Sequence, residues 1–246
     1  MVDVTDLHMH FGTVRALTGV SFVALDGAIT GLIGENGAGK TTTLNIVSGL
    51  HQPMRGSVSV DDSAAHELHE RRKRVGALLD HKGLYPRLTA RENVEYFGAL
   101  RGFTGRELSR RVQRALAHVG IESLAERRTH GFSQGERMKV ALARAIVHEP
   151  RNMILDEPTN GLDVPSARAF KAALSRMRDL GACIVFSSHL IHDVSALCDS
   201  VVIISRGRTV AQGEPAALCR EAGCQTLEEA FMALTGHEQE ASCLAG

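Results

Sequence analysis

The chain lacks the marks of a secreted, membrane-spanning or polyanion-binding protein. Its five cysteines, Cys183, Cys198, Cys219, Cys224 and Cys243, are odd in number and show no C-x-x-C spacing. That pattern argues against a disulfide framework or a zinc site and suits free thiols in a reducing cytosol. The N-terminus, Met1-Val2-Asp3-Val4, has no basic region followed by an apolar run, so no secretory signal is read there. No apolar stretch approaches the roughly 18 residues of a membrane-crossing helix. Lys plus Arg and Asp plus Glu each number 28, so no charge excess favours nucleic acid. Tryptophan is absent and aromatics make up only 4% of the chain, which leaves the core to aliphatic side chains.

What is present is a regular alternation of strand and helix patterns. A length of 246 residues suits one large domain, or a core with a subdomain. Strands are predicted at Val2 to Phe11, Val14 to Leu25, Ala28 to Ile33, Gly56 to Val60 and Val75 to Leu79, with turns at Gly12-Thr13 and Asp26-Gly27. Helical patterning then takes over. Thr89, with Glu92 three residues on, opens a helix running to about Arg101. Gly105 to Val119 carries an apolar stripe at Leu108, Val112, Ala115, Leu116 and Val119, and Gly135 to Val147 is a third helix. Alternation resumes with a strand at Met153 to Leu155 and a helix from Pro165 to Leu180 that stops at Gly181. A strand at Cys183 to Ser187, a helix at His189 to Leu197, and strands at Val201 to Ile204 and Arg208 to Ala211 follow. Two short helices, Pro215 to Glu221 and Leu227 to Leu234, precede a tail that frays after Gly236. The pattern reads as an α/β domain over 1–213, interrupted by a helical insert at about 84–147, with a C-terminal extension at 214–246. Arg106, Arg110, Arg111 and Arg114 form a basic face on the insert that is read as solvated rather than lipid-binding.

One segment carries chemistry outright. Gly34-Glu35-Asn36-Gly37-Ala38-Gly39-Lys40-Thr41 spells G-x-x-x-x-G-K-[ST] between a predicted strand and a helix opening at Thr42. Glycines let the backbone close around phosphate oxygens, and the helix N-terminus adds N–H donors and positive potential. Lys40 suits the β- and γ-phosphates, and Thr41 suits Mg²⁺. A second segment, Asn152-Met153-Ile154-Leu155-Asp156-Glu157, is an apolar strand ending in two acids, which places them at the carboxyl edge of a parallel sheet. Asp156 would hold Mg²⁺ and Glu157 would polarise an attacking water. Phe132-Ser133-Gln134-Gly135-Glu136 opens a helix with a Ser cap and a glycine that permits close approach, a second helix-terminus anion site.

With Asp156-Glu157-Pro158-Thr159-Asn160-Gly161-Leu162-Asp163 and Ser187-Ser188-His189, the order and spacing of these segments resemble the ATP-binding cassette (ABC) transporter ATPases from Val2 to about Gly213. The resemblance implies a P-loop NTPase (RecA-like) α/β core with an antiparallel β subdomain and an inserted all-helical subdomain. It makes Phe11 the adenine platform, Gly34 to Thr41 with Thr42 the Walker A site, and Asp156 the Walker B acid. Glu157 becomes the catalytic glutamate, Asn160 to Asp163 the D-loop, and His189 the switch histidine. Ser133, Gln134 and Gly135 become the signature that grips the ATP of an opposite subunit.

This chain departs from the family pattern at Gln134 and Glu136, which stand where Gly and Gln are usual, and at Asp80, which stands for the Q-loop Gln and remains a candidate Mg²⁺ or water contact. Together with Leu84 to Val94, these positions look similar to the sodium-efflux (NatA-type) group of bacterial exporter ATPases. That resemblance implies ATP and Mg²⁺ as cofactors, an ABC-2 type membrane permease as partner and a homodimer in the ATP-bound state. It places the chain in the cytoplasm, peripheral on the inner face of the membrane. The competing readings are a weakly hydrolysing, nucleotide-gated interaction module, and a soluble cassette acting on ribosomes or DNA. Relatives of the last kind carry paired cassettes or a long coiled coil, and this sequence has neither.

Overall fold

The computed structural model describes residues 1–61, 68–79 and 83–236. Their order is β1 (Val2–Phe11), β2 (Val14–Ala24), β3 (Ile29–Ile33), α1 (Lys40–Val47), β4 (Arg55–Val60), α2 (Leu68–Arg74) and β5 (Val75–Leu78). Then come α3 (Ala90–Leu100), α4 (Gly105–Val119), two short 3-10 turns, α5 (Gln134–Ile146), β6 (Asn152–Leu155), α6 (Val164–Asp179) and β7 (Cys183–Ser188). The chain closes with α7 (Ile191–Leu197), β8 (Ser200–Ser205), β9 (Arg208–Gly213), α8 (Pro215–Ala222) and α9 (Leu227–Thr235).

Among the described residues, nine strands form one sheet in the order β4-β1-β2-β9-β8-β3-β7-β6-β5. The run β8-β3-β7-β6-β5 is parallel, whereas β4-β1-β2 is antiparallel. The parallel strands are covered on both faces, so they read as continuous apolar runs. Their two-residue pleat nevertheless sorts them. Ile33, Leu155, Ile184, Phe186 and Ile203 face a cluster shared with the helical insert. Leu32, Ile154, Val185, Val202 and Ile204 face a second cluster, closed by α1 and the antiparallel strands.

The helical insert packs as α3, α4 and α5 through Val94, Val112, Leu116 and Leu142, all fully buried. Its basic face is half consumed internally. Arg111 pairs with Glu107 at 3.0 Å and Glu149 at 3.1 Å, and Arg114 pairs with Glu149 at 2.8 Å. Arg106 and Arg110 remain exposed. Helices α8 and α9 join the main core through Leu218, Leu227 and Phe231.

Two elements differ from the sequence expectation. Helix α2 was not predicted, because its basic run has no apolar stripe. It is held by arginines instead: buried Arg71 donates to the Ile46 carbonyl at 2.6 Å and Arg72 to the Gly49 carbonyl at 2.8 Å, at the C-terminal end of α1. Helix α7 begins at Ile191 rather than His189, which leaves the histidine exposed on the loop between β7 and α7.

Candidate active site

Strand β3 lies between β8 and β7, and β6 lies on the far side of β7. All run parallel, so Gly34 after β3, His189 after β7 and Asp156 after β6 emerge at one carboxyl edge, where open α/β sheets bind ligands. In register, Ile33 pairs with Ser188, and Leu155 with Phe186. Strand β7 thereby inserts its Ser187-Ser188-His189 end between the phosphate loop and the two acids.

Gly39 is the N-cap of α1 with φ of 108°, a conformation that favours glycine, and no side chain caps this helix. A Cβ here would lie 2.6 Å from a Leu17 methyl and 2.8 Å from the Ala16 carbonyl. The loop is therefore pressed onto β2, three residues beyond the Phe11–Val14 end of the β1–β2 hairpin. Phe11 is exposed there and stacks edge-on against His51 at 5.9 Å. The first N–H groups of α1, those of Lys40, Thr41 and Thr42, have no intrahelical acceptors and point out of the helix end. Lys40 is buried, and its Nζ donates to the carbonyls of Gly34 at 2.7 Å and Glu35 at 3.0 Å. Burial pushes its pKa down, against the opposing charges of Glu157, Asp156 and Glu35. Those acids are thus close enough for Lys40 to feel their field.

The acid pair is organised by Ser187, which the sequence reading named only as part of the segment ending at His189 and to which it assigned no role. Ser187 Oγ donates to Asp156 Oδ1 at 2.5 Å and accepts from the Glu157 N–H at 2.9 Å. The polar pair ending an otherwise apolar strand was the available signal. Glu157 sits at φ of 46°, which is strained for a glutamate. Its Oε2 lies 2.7 Å from His189 Nδ1 and 3.3 Å from the His189 N–H. A carboxylate only accepts, so Nδ1 carries the proton, and Nε2 is left facing elsewhere. A second residue missed from sequence is Asp193, which is buried. It accepts from Lys171 Nζ at 2.7 Å and Thr159 Oγ1 at 3.5 Å, tying the loop after the acids to α6 and α7.

The donor set fits Mg²⁺ in a nucleotide complex. Among the described residues no three His, Cys, Asp or Glu side chains cluster as metal ligands. Mg²⁺ instead takes one or two protein oxygens and completes its shell with phosphate and water. Thr41 and Asp156 are of that type. Asp80 lies outside the described residues.

Ser133, Gln134 and Gly135 are not part of this cluster. They form the N-terminal turn of α5, beside the loop that follows the acids. Ser133 Oγ accepts from the Glu136 N–H at 3.2 Å, and Glu136 Oε2 accepts from the Ser133 N–H at 2.7 Å, a closed capping box. The Ser133 hydroxyl is therefore engaged as an acceptor and keeps its proton to donate. Gly135 is buried, and a Cβ on it would stand 2.8 Å from Ser166 Cβ.

A phosphate loop, an acid pair and a histidine on adjacent parallel strands define a P-loop nucleotide triphosphatase. Over residues 17–160 the sequence matches the ABC transporter family. The ABC transporter ATP-binding protein NatA of Bacillus subtilis (strain 168) is 37% identical over 94% of this chain and 97% of its own. The Nod factor export ATP-binding protein I of Burkholderia lata is 33% identical over 92% of this chain and 75% of its own. A solved dimeric ATP-binding cassette in a post-hydrolysis state, bound to ADP and Pi, superimposes with a TM-score of 0.77 at 25% identity, covering 87% of this chain and 98% of that one. The chain belongs to the ABC transporter family, as an ATP-binding subunit that hydrolyses ATP. No helix among the described residues is long and apolar enough to cross a membrane.

Proposed function

We propose that this chain powers a bacterial exporter through a separately encoded, ABC-2 type membrane permease, closing as a head-to-tail pair on two ATP molecules at the inner face of the membrane. Sodium or another small solute is the proposed cargo. The observation that carries the hydrolytic part is the Glu157–His189 contact of 2.7 Å beside Lys40. Glu157 takes a proton from the attacking water, and His189 orients that carboxylate through its Nδ1–H; as an imidazolium, with Nε2 protonated as well, it would also donate to the γ-phosphate. Lys40 and the α1 N-terminus neutralise the β- and γ-phosphates, and Phe11 stacks on adenine. Mg²⁺, held by Thr41 and Asp156, would spread the charge that builds on the phosphates.

The opposite copy supplies Ser133, Gln134 and Gly135. The dimeric cassette supports the pairing, and the name of the Nod factor export protein supports the export role. The proposed permease contact is the groove of about 710 Å³ between the core and the helical insert, lined by Leu50, Arg72, Lys73, Leu100, Arg101 and Arg144. Beside it, fully buried Asn93 bonds the backbone of Tyr85, Leu88 and Thr89, so that Tyr85 is displayed at the surface.

Glu157→Gln tests the mechanism. Gln preserves size and hydrogen bonding but takes no proton, so hydrolysis should fall by roughly 10²-fold or more. Size-exclusion chromatography should then show a dimer with MgATP and a monomer with MgADP. A variant that turns over normally, or that stays monomeric while binding ATP tightly, counts against the reading. The capping box at Glu136 favours one second reading, a weakly hydrolysing regulatory module, because its acid sits where phosphate must arrive. Turnover that stays negligible even with the permease would favour that reading.

A further inference from the structure

Gln134 is the first residue of α5, and its amide reaches out of that helix. Nε2 donates to the main-chain carbonyl of Asn160 at 3.0 Å. The receiving loop is shaped around the amide. Gly161 has φ of 71°, and a Cβ there would stand 2.6 Å from Gln134 Nε2. On the other side Gly135 abuts Ser166, whose N–H is held by Asp163 Oδ1 at 3.1 Å. The first turn of α5 and the loop at 160–163 are therefore clasped together. The loop's other end is also anchored, since the Asn160 N–H donates to the Glu157 carbonyl at 3.1 Å. One hydrogen-bonded turn and one side-chain amide thus join Glu157 to the Ser133–Gly135 turn within a single copy.

We infer that Gln134 is a positioning residue that couples the two ATP sites of the working dimer. The inference rests on the head-to-tail reading above. In that arrangement Glu157 serves the ATP on its own phosphate loop, whereas Ser133, Gly135 and the main-chain N–H of Gln134 meet the ATP of the partner copy, leaving the Gln134 side-chain amide to Asn160. A shift of the signature turn on meeting that γ-phosphate passes through the Gln134 amide to Asn160, and from there to the strained backbone of Glu157. A side chain at 134 without a donor leaves the Asn160 carbonyl to water and lets the two loops move independently. Gln134 is exposed, so its replacement does not threaten the fold.

The test is the ATP dependence of hydrolysis by the full chain, read as a Hill coefficient. Wild type should approach 2. Gln134→Met, of similar length but without a donor, should bring it toward 1 and weaken the coupling by roughly 3- to 10-fold, the scale of one hydrogen bond. Gln134→Lys restores a donor and should recover cooperativity. Gly161→Ala, whose Cβ would stand 2.6 Å from the Gln134 amide nitrogen, should displace that amide and lower the Hill coefficient as Gln134→Met does. An unchanged Hill coefficient in Gln134→Met overturns the inference, and so does a loss shared equally by Gln134→Lys. Size-exclusion of Glu157→Gln with MgATP, run alongside, separates the two readings. A missing dimer overturns both, whereas a dimer with an unchanged Hill coefficient removes only the role of Gln134.

Discussion

Helices α1 and α5 both begin with a glycine-bearing turn at which phosphate is expected, yet their N-termini are built in opposite ways. The N-cap of α1 is Gly39, without side-chain cap or first-turn acid, and a buried lysine lies over the loop. The N-cap of α5 is Ser133, closed by a capping box whose acid, Glu136, already takes the Ser133 N–H. An uncapped helix end in a partly buried setting has unmet donors and positive potential, so it demands an anion. A capped end is nearly satisfied and offers only the Ser133 proton and the N–H groups of Gln134 and Gly135. Binding energy should therefore concentrate at α1, with α5 contributing once a second copy brings it to the nucleotide.

The largest break in this comparison is Lys40→Ala. It removes the cation at α1 and should lower turnover by at least roughly 10²-fold, together with most ATP affinity. A steady-state assay showing wild-type hydrolysis would refute the phosphate-loop assignment.

The far end of α5 gives the next effect. His148 follows that helix, and burial, then Arg101 and Arg111, hold its pKa down at about 4, against an ordinary 6.5. The folded chain keeps it neutral, with one ring nitrogen 3.2 Å from the Val75 carbonyl. Below pH 6.5 the unfolded chain binds the extra proton and the folded chain does not, so stability falls as pH drops from about 6.5 to 4. The loss should reach roughly 2–3 kcal/mol. Urea melts across that window should show it, and His148→Gln should flatten the slope; a slope unchanged by that substitution would place the acid sensitivity elsewhere.

Ser187→Ala comes third. It removes the hydroxyl that joins Asp156 to the Glu157 backbone and should lower kcat by roughly 3- to 10-fold, with Ser187→Thr retaining more. Equal losses in the two variants would point to packing rather than the hydroxyl. The smallest effect sharpens the contrast at α5 itself. Glu136→Gln preserves the capping geometry while removing the acid, and should lower the ATP concentration for half-maximal rate by about 2- to 5-fold. No change would mean that this carboxylate is not felt by nucleotide in the second half-site.

Much of the site was legible because its residues lie in short segments whose chemistry is local. Gly34 to Thr41 needs only a strand, a turn and a helix start, and Asp156-Glu157 only a strand end. The elements at Val2–Phe11 and Gly105–Val119 followed from two- and 3.6-residue apolar periods, and the strand expected at Cys183 to Ser187, observed one residue longer, from a short apolar run. Helix α2 did not, because Arg71 and Arg72 hold it by bonds to the end of α1 rather than by an apolar stripe.

By itself, then, the sequence determined the kinds of chemistry present and most of the elements that carry them, since hydrophobic period, caps and glycine turns act over a few residues. Tertiary structure alone decided which ends meet. Sheet order is a matter of non-local hydrogen bonding, and only the insertion of β7 between β3 and β6 brings Ser187 and His189 to the acid pair. The same holds for Gln134. Its identity is visible in the chain, but its bond to Asn160, 26 residues away, exists only because α5 and the loop before α6 pack side by side.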